Sequence, residues 1–244
     1  AGSFRVKLYG YNYDELSYWT EQLKEKLLLH RRIKEVTVNS EFSWWKDDYS
    51  EFYLDLDRLL AEKDFFILTT NQDTQFIKLY PKEKVSEIQG DHRFLQCAKC
   101  CTDDTWDAVE PVKEMIRAMG NDTYVPSEMI PRCPHCGGEA FPWVRGYGNF
   151  LQGKKYEGEY QKISDYILKN KDRKIVFLEL GVGRMTPMFI QEPFWNLTLS
   201  LPHARYIAVN NKYDFLPQQI EDKGMTIVGD IAKVLRDAVK LAGR

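Results

Sequence analysis

The chain has 244 residues, a net charge of -2 and 29% charged side chains. This length suits one large domain, or one domain with a small insert. The near-neutral charge gives no overall electrostatic footprint for nucleic acid. No apolar run approaches the length of a membrane span, and no signal peptide is visible at the start. We therefore predict a cytoplasmic globular protein with neither nucleic acid nor membrane as a partner.

Helical and strand-like patterns alternate along the chain. The spacing of apolar residues predicts helices over 14–30, 51–63, 155–170 and 229–242. Short apolar runs predict strands over 65–69, 85–88, 174–180, 205–209 and 225–228. We predict a loop between the strands at 174–180 and 205–209. Because strands that alternate with helices favour a parallel sheet covered on both faces, the predicted fold class is α/β.

All five cysteines lie in two clusters, QCAKCC at 96–101 and CPHCGG at 133–138. Two cysteine pairs on tight turns supply the four thiolates of a structural zinc site, which leaves no open position for a reacting water. A disulfide or plain buried cysteines are the simpler alternatives, but spacing for a metal favours zinc and a reducing compartment. The predicted ligands are Cys97, Cys133, Cys136 and one of Cys100 and Cys101, between which the spacing does not choose.

The cysteine clusters lie in a segment, about 94–147, that is rich in Pro, Gly and Asp. We predict that this segment is a small zinc-binding module. It would interrupt a single larger domain formed by residues 1–93 and 148–244.

Polar or glycine-bearing turns follow four of the predicted strands. Open parallel sheets bind ligands beyond the carboxyl ends of their strands, so these turns predict a nucleotide site. Its candidate residues are Thr70, Asn71, Asp73, Gly181, Gly183, Thr186, Asn210, Asn211, Asp230 and Ile231.

Each of these turns also has a simpler explanation. The glycines at 181 and 183 let a backbone approach a phosphate, yet they equally suit a tight turn that leaves a strand. Asp230 can be a helix N-cap, and Asn71 and Asp73 can be turn formers.

Over residues 60–244 the chain resembles the sirtuin family. The resemblance rests on an ordered set of motifs: TTNQD (69–73), IQG (88–90), the two cysteine clusters, LGVGRMTP (180–187), VNNKY (209–213) and GDIAKVL (229–235). It implies a Rossmann-like NAD-binding domain with a small zinc module, NAD as co-substrate, and a protein substrate. LGVGRMTP and IPRCPHC are most similar to the bacterial macrodomain-linked branch (class M), described as protein ADP-ribosyltransferases, which implies a macrodomain-type partner.

The resemblance assigns roles within the candidate site. Asn71 would lie near the nicotinamide ribose, and Asp73 would bind the nicotinamide carboxamide. Gly181 and Gly183 would cradle phosphate, with Thr186 nearby. Asn210 would bind the adenine-side ribose, and the backbone at Ile231 the adenine. The same branch has a three-residue gap in its first cysteine pair, which favours Cys101 over Cys100.

Two positions depart from the sirtuin pattern. Deacylating sirtuins have a histidine as general base where this chain has Gln89. An amide can orient a ribose hydroxyl but cannot take its proton near pH 7, which counts against efficient deacylation. Lys212 stands where many sirtuins have glutamate. This departure counts slightly against the ribose assignment, and the lysine would instead bring positive charge towards a phosphate.

The first quarter of the chain does not match the family. Sirtuins begin with a strand and a GAGxS loop that holds the pyrophosphate, and no such segment is recognisable in 1–60. Residues 4–10 alternate like a strand but do not end in that loop. NAD binding would therefore depend on the downstream half of the site.

Three functions are consistent with these observations. The first is NAD-dependent protein mono-ADP-ribosylation, with Asn71, Asp73 and Gln89 as the catalytic residues. The second is NAD-dependent protein deacylation, and the third is non-catalytic binding of NAD or ADP-ribose. A nucleic-acid role for the zinc module is disfavoured, because 102–132 carries many acids and few basic residues.

Overall fold

The structure is a computed structural model of the whole chain. It describes residues 13–30, 33, 36, 51–119, 124–146, 148–183, 187–212 and 215–243. The strand-like pattern at 4–10 and the candidate residue Thr186 lie outside these residues. In the described part of the chain, no helix combines the length and apolar character needed to span a membrane.

The chain divides into two compact units. Unit 1 is formed by the described residues of 1–43 and by 92–150, and unit 2 by those of 44–91 and by 151–244.

Among its described residues, unit 1 contains two helices and a three-stranded sheet. The elements are α1 (Tyr13–Leu28), β3 (Gly90–Cys97), β4 (Trp106–Asp107), α4 (Val109–Met119) and β5 (Ala140–Val144). The strand order is β4-β3-β5, and β3 starts in unit 2 at Gly90. Strands β3 and β4 pair antiparallel, and Trp143 of β5 is fully buried.

Unit 2 carries two parallel sheets and five helices among its described residues. Its first part consists of α2 (Glu51–Leu60), β1 (Ile67–Thr69), α3 (Gln75–Leu79) and β2 (Val85–Glu87). Its second part consists of α5 (Lys154–Asn170), β6 (Ile175–Leu180), α6 (Gln191–Ser200), β7 (Ala204–Asn210), β8 (Gly224–Val228) and α7 (Ile231–Leu241). Short 3₁₀ turns complete the connections.

The sheets of unit 2 explain how its polar turns are placed. Strand β1 pairs with β2, and β6, β7 and β8 pair in that order, all in parallel. Tyr206 and Ala208 of β7 form a buried core with Phe177 of β6 and with rings of α6. Because the strands are parallel, the residues that follow β6, β7 and β8 leave the sheet at one edge.

The predicted α/β class is confirmed, and most predicted elements are present within a few residues of their expected bounds. The predicted strand at 65–69 is shorter, because only Ile67–Thr69 pairs with β2. The parallel strands form two separately hydrogen-bonded sheets in the described residues, and not one sheet.

The loop predicted between 180 and 205 is wrong, because it contains helix α6, Gln191–Ser200. Two neighbouring parallel strands need a crossover connection, and a helix usually supplies it. The sequence QEPFWNLTLS hides this helix, since it has no side-chain N-cap and no regular apolar spacing.

Candidate zinc centre and nucleotide site

Four of the five cysteines meet in unit 1. The sulfur atoms of Cys97, Cys101, Cys133 and Cys136 all lie within 4.8 Å of one another. The Cys97 and Cys136 sulfurs are 3.7 Å apart, and those of Cys101 and Cys133 are 3.5 Å apart. A tetrahedral zinc ion with Zn–S bonds of about 2.3 Å needs sulfurs about 3.8 Å apart, so this set can hold zinc.

The backbone near the two clusters shapes the sulfur positions. Strand β3 ends at Cys97, whose carbonyl accepts a hydrogen bond from Cys100 N–H at 3.0 Å. The Cys133 carbonyl accepts from Gly137 N–H at 2.9 Å, and Gly137 has a φ of 68° that favours glycine. A hydrogen bond from the Cys101 backbone N–H lowers the pKa of the Cys97 thiol, whereas side-chain hydrogen bonding to Cys136 and Cys97 raises the pKa of Cys101. A lowered pKa favours the thiolate that zinc binds.

Cys100 lies beside this cluster but is not part of it. Its φ of 50° is unusual for a residue other than glycine, and it turns the chain so that Cys101 joins the other sulfurs. The Cys100 sulfur instead contacts the Gln96 amide at 3.7 Å and the Asn149 carbonyl at 3.5 Å. The structure therefore groups Cys101 with the other three cysteines, in line with the three-residue gap that the resemblance implied.

In unit 2, one group of candidate residues lies around the end of β1. The Asn71 N–H donates to the Thr69 hydroxyl at 3.0 Å. The side chain of Gln72 donates to the Gln89 carbonyl at 3.1 Å and so joins this turn to the one that follows β2. The structure thus brings Asn71, Asp73 and Gln89 onto neighbouring turns, and Thr70 is half-buried directly after β1.

Tyr53 of α2 connects two of these residues. Its hydroxyl donates to the Asp73 carboxylate at 3.4 Å and accepts a hydrogen bond from the Asn71 side chain. Burial, and then the Asp73 charge, raise the pKa of Tyr53 well above its ordinary value, so the hydroxyl stays protonated and can donate. No local sequence pattern points to Tyr53, because its contact with Asp73 joins two elements that are 20 residues apart along the chain.

The turn after Asp73 is strained. Thr74 is buried and has a φ of 60°, a left-handed conformation that is rare for a β-branched residue. Such a conformation costs about 1–3 kcal/mol and persists only where the surroundings impose it. The Asp73 carboxylate helps to impose it by accepting a hydrogen bond from Gln75 N–H at 3.2 Å. Asp73 is therefore the turn former that the simpler explanation proposed, and its second carboxylate oxygen faces Tyr53.

A second group lies at the ends of β6, β7 and β8. The Gly181 N–H donates to the Val209 carbonyl at 2.9 Å, and the Asn210 side chain donates to the Val182 carbonyl at 3.0 Å. The Gly229 N–H donates to the Asn210 carbonyl at 3.0 Å. Asn210 therefore joins all three strand ends. Asn211 is exposed, and Lys212 N–H donates to the Asn210 side chain at 3.0 Å.

The two glycines after β6 differ in their surroundings. Gly181 has a φ of 71°, and a Cβ there would lie 2.8 Å from the Ile231 side chain, so the position requires glycine. A Cβ at Gly183 would meet no heavy atom within 4 Å among the described residues. The structure therefore requires glycine at position 181 and leaves position 183 open.

Asp230 is the N-cap of helix α7, so this helix begins at Ile231. The Asp230 carboxylate accepts a hydrogen bond from Lys233 N–H at 2.9 Å, as the simpler explanation of this residue predicted. Ile231 is the first helical residue and contacts the Gly181 position. The start of α7 and the turn after β6 therefore lie next to each other.

The fold of the chain is that of the Sir2 enzymes. A solved structure described as "Structural Basis for the Mechanism and Regulation of Sir2 Enzymes" matches 94% of this chain and 83% of its own, with a TM-score of 0.51 and 17% identity. This likeness confirms the fold that the sirtuin resemblance implied. No family model matches the chain.

Two curated relatives match by sequence. A "Protein ADP-ribosyltransferase" of Staphylococcus aureus (strain Mu50 / ATCC 700699) is 29% identical over 190 residues, which cover 77% of this chain and 60% of the relative. A "Probable bifunctional ADP-ribose hydrolase/ADP-ribosyltransferase" of Fusarium oxysporum f. sp. cubense is 31% identical over 186 residues, 71% of this chain and 30% of the relative. The chain thus spans under two thirds of the length of either relative.

Proposed function

We propose that the chain is a sirtuin-type, NAD-dependent protein mono-ADP-ribosyltransferase. This proposal depends most on Gln89, which is buried and is joined by the Gln72 side chain to the turn of Asn71 and Asp73. At position 89 a deacylating sirtuin needs a histidine as its base. The names of the two relatives and the Sir2 fold support it. We expect the strand ends of unit 2 to supply the polar and backbone groups that bind NAD.

The proposed reaction exchanges one bond at C1′ of the nicotinamide ribose. The bond from C1′ to the nicotinamide nitrogen breaks, and nicotinamide leaves with the bonding electron pair. A nucleophilic side chain of the target protein forms the new bond to C1′ and gives up its proton. Asp73 would hold the carboxamide, and Asn71 and Gln89 would orient the ribose. The barrier falls through positioning and through electrostatic stabilisation of developing positive charge.

The same resemblance supports a proposal for the domain organisation, the compartment and the partner of the protein. Residues 94–147 would form the zinc-binding module, inserted into an NAD-binding domain of residues 1–93 and 148–244. The free cysteines, four of them in one metal-type cluster, favour the cytoplasm as the working compartment. A macrodomain-type protein is the partner that the resemblance implies.

Deacylation is the second candidate function, and the residue at position 89 distinguishes it from transfer. We expect the wild-type chain with NAD and an acetyl-lysine peptide to give at most trace deacetylation, since Gln89 cannot accept a proton. Mass spectrometry of the peptide measures this, with Gln89→Ala as the matched variant. Brisk deacetylation by the wild type that Gln89→Ala abolishes would exclude our assignment in favour of a deacylase.

The Tyr53 hydroxyl is expected to hold Asn71 and Asp73 in place. In Tyr53→Phe both hydrogen bonds are lost, so nicotinamide release from NAD should fall about 10-fold, the equivalent of roughly 1.4 kcal/mol. Tyr166→Phe is the control, because its hydroxyl donates to the Asp64 carbonyl away from these residues. Equal rates in Tyr53→Phe and in the control would show that the Tyr53 contacts do not serve the reaction.

A further inference from the structure

Glu179 is a buried acid that the proposed reaction does not use. It lies on β6 with only 2% of its surface exposed. On the same face of the sheet lie Phe177, Tyr206 and Ala208, which form the core with the rings of α6. A carboxyl group in such a place costs stability unless hydrogen bonds compensate for its lost hydration. Its position therefore needs a reason other than packing.

Both oxygens of the Glu179 carboxyl group have partners. Gln191 of α6 donates to Oε1 at 3.0 Å, and the Tyr206 hydroxyl of β7 donates to Oε2. Burial raises the pKa of Glu179, and the two donated hydrogen bonds act in the opposite direction. Tyr206 is itself fully buried, so its hydroxyl is shielded from water, while Gln191 is half-buried. The three side chains form a fixed connection between β6, β7 and α6.

This connection lies on either side of the turn that follows β6 and contains Gly181 and Gly183, which we call the glycine turn. Glu179 precedes Gly181 by two residues, and Gln191 begins the helix that follows the turn. The Glu179–Gln191 hydrogen bond thus ties the strand that enters the turn to the helix that leaves it. The backbone bond from Gly181 to Val209 fixes the same end of β6 to β7, the strand that carries Tyr206.

We propose that Glu179 is a positioning residue that sets the glycine turn after β6 for the pyrophosphate group of an adenine dinucleotide. This inference rests on the proposed function, because it takes the turn as the phosphate cradle. An apolar side chain at 179 would pack in the same core but would leave Gln191 and Tyr206 without their acceptor. Each unsatisfied donor would then seek water and shift α6 relative to β6.

The test compares binding of ADP-ribose, which carries the pyrophosphate, with binding of adenosine, which lacks it. Isothermal titration calorimetry on the full chain gives both affinities. We expect Glu179→Leu to weaken ADP-ribose binding about 10-fold, with adenosine affinity changed less than about 2-fold. In Glu179→Gln, the new carbonyl accepts from Tyr206 and the new amide donates to Gln191 after rotation of its amide. This variant should therefore bind ADP-ribose within about 3-fold of the wild type.

Two further variants keep the test decisive. Gln191→Leu removes one donor from a half-buried position, so it should fold and reproduce the loss of ADP-ribose affinity even where Glu179→Leu does not fold. Phe194→Leu is the structural control, because Phe194 packs on the same core, with its ring centre 4.9 Å from that of Phe177. It should lower the unfolding temperature and leave the ratio of the two affinities unchanged.

The outcomes separate this inference from the proposed function. If the wild-type chain does not bind ADP-ribose, the proposed function is contradicted, and this inference with it. If the wild type binds ADP-ribose and Gln191→Leu or folded Glu179→Leu binds it equally well, this inference alone is overturned. The same holds if both ligands lose affinity in parallel, since that result indicates a general structural role.

Discussion

A Cys133→Ser variant is expected to lose bound zinc and its folded cysteine module together. Cys133 is buried and its sulfur lies 3.5 Å from that of Cys101, so no other described cysteine can replace it without moving the chain. Structural zinc contributes about 10–16 kcal/mol of apparent binding energy in small domains, which exceeds the whole stability of most such units. Metal analysis should find about one zinc per wild-type chain and almost none in the variant.

Loss of the module should also abolish catalysis. Strand β3 runs without interruption from Gly90, the residue after Gln89, to the predicted zinc ligand Cys97. Unfolding at Cys97 would free that strand and release the Gln89 turn from its fixed position. We therefore expect nicotinamide release to fall more than about 100-fold, as it should after removal of zinc by a chelator.

Cys100→Ser is the matched control for this prediction. Its sulfur lies outside the four-cysteine cluster, so the variant should retain one zinc and near wild-type stability. Cys101→Ser should instead lose the metal. If Cys100→Ser lost zinc while Cys101→Ser retained it, Cys100 and not Cys101 would be the fourth zinc ligand.

An Asn71→Ala variant is expected to release nicotinamide about 100-fold more slowly than the wild type. The Asn71 side chain is exposed on the turn after β1 and donates to Tyr53, which in turn holds Asp73. Removing one preorganised polar group from a reacting centre typically costs about 10²–10³ in rate. Because the strand ends after β6, β7 and β8 remain intact, NAD affinity should change less than about 3-fold. A fluorescence or calorimetric titration measures that affinity independently of the rate.

Asn196→Ala provides the control for Asn71→Ala. Asn196 is also an exposed asparagine of unit 2, but it lies on α6. Its replacement should leave both nicotinamide release and NAD affinity unchanged. Equal rates in Asn71→Ala and Asn196→Ala would remove Asn71 from the catalytic residues.

The cysteine spacing and the polar strand ends carried most of what the sequence could predict. Four thiolates around one metal need two short turns, and such turns leave a pattern that can be recognised in the sequence. The choice of Cys101 over Cys100 could not follow from spacing, because it depends on the left-handed backbone at Cys100. Only a three-dimensional arrangement of the chain reveals that conformation.

Helix α6 and the residues Tyr53 and Glu179 were not predicted from the sequence, because each depends on tertiary contacts. Helix α6 buries Phe194 and Trp195 against the sheet, but its apolar residues lack regular spacing, so the helix depends on tertiary packing. Tyr53 and Glu179 are also defined by partners far along the chain, at Asp73 and at Tyr206. Contacts of this kind leave no local pattern, and so the site residues found from sequence were those on turns.

Transfer of ADP-ribose to protein is the central claim, and doubly labelled NAD tests it most directly. The zinc-loaded wild-type chain is incubated with a protein extract and NAD that carries one label in the nicotinamide ring and another in the adenylate phosphate. We expect free nicotinamide and protein-bound adenylate label to appear in about equal amounts, with both lost in Asn71→Ala. Release of nicotinamide with all adenylate label in small molecules, or no release at all, would contradict the claim.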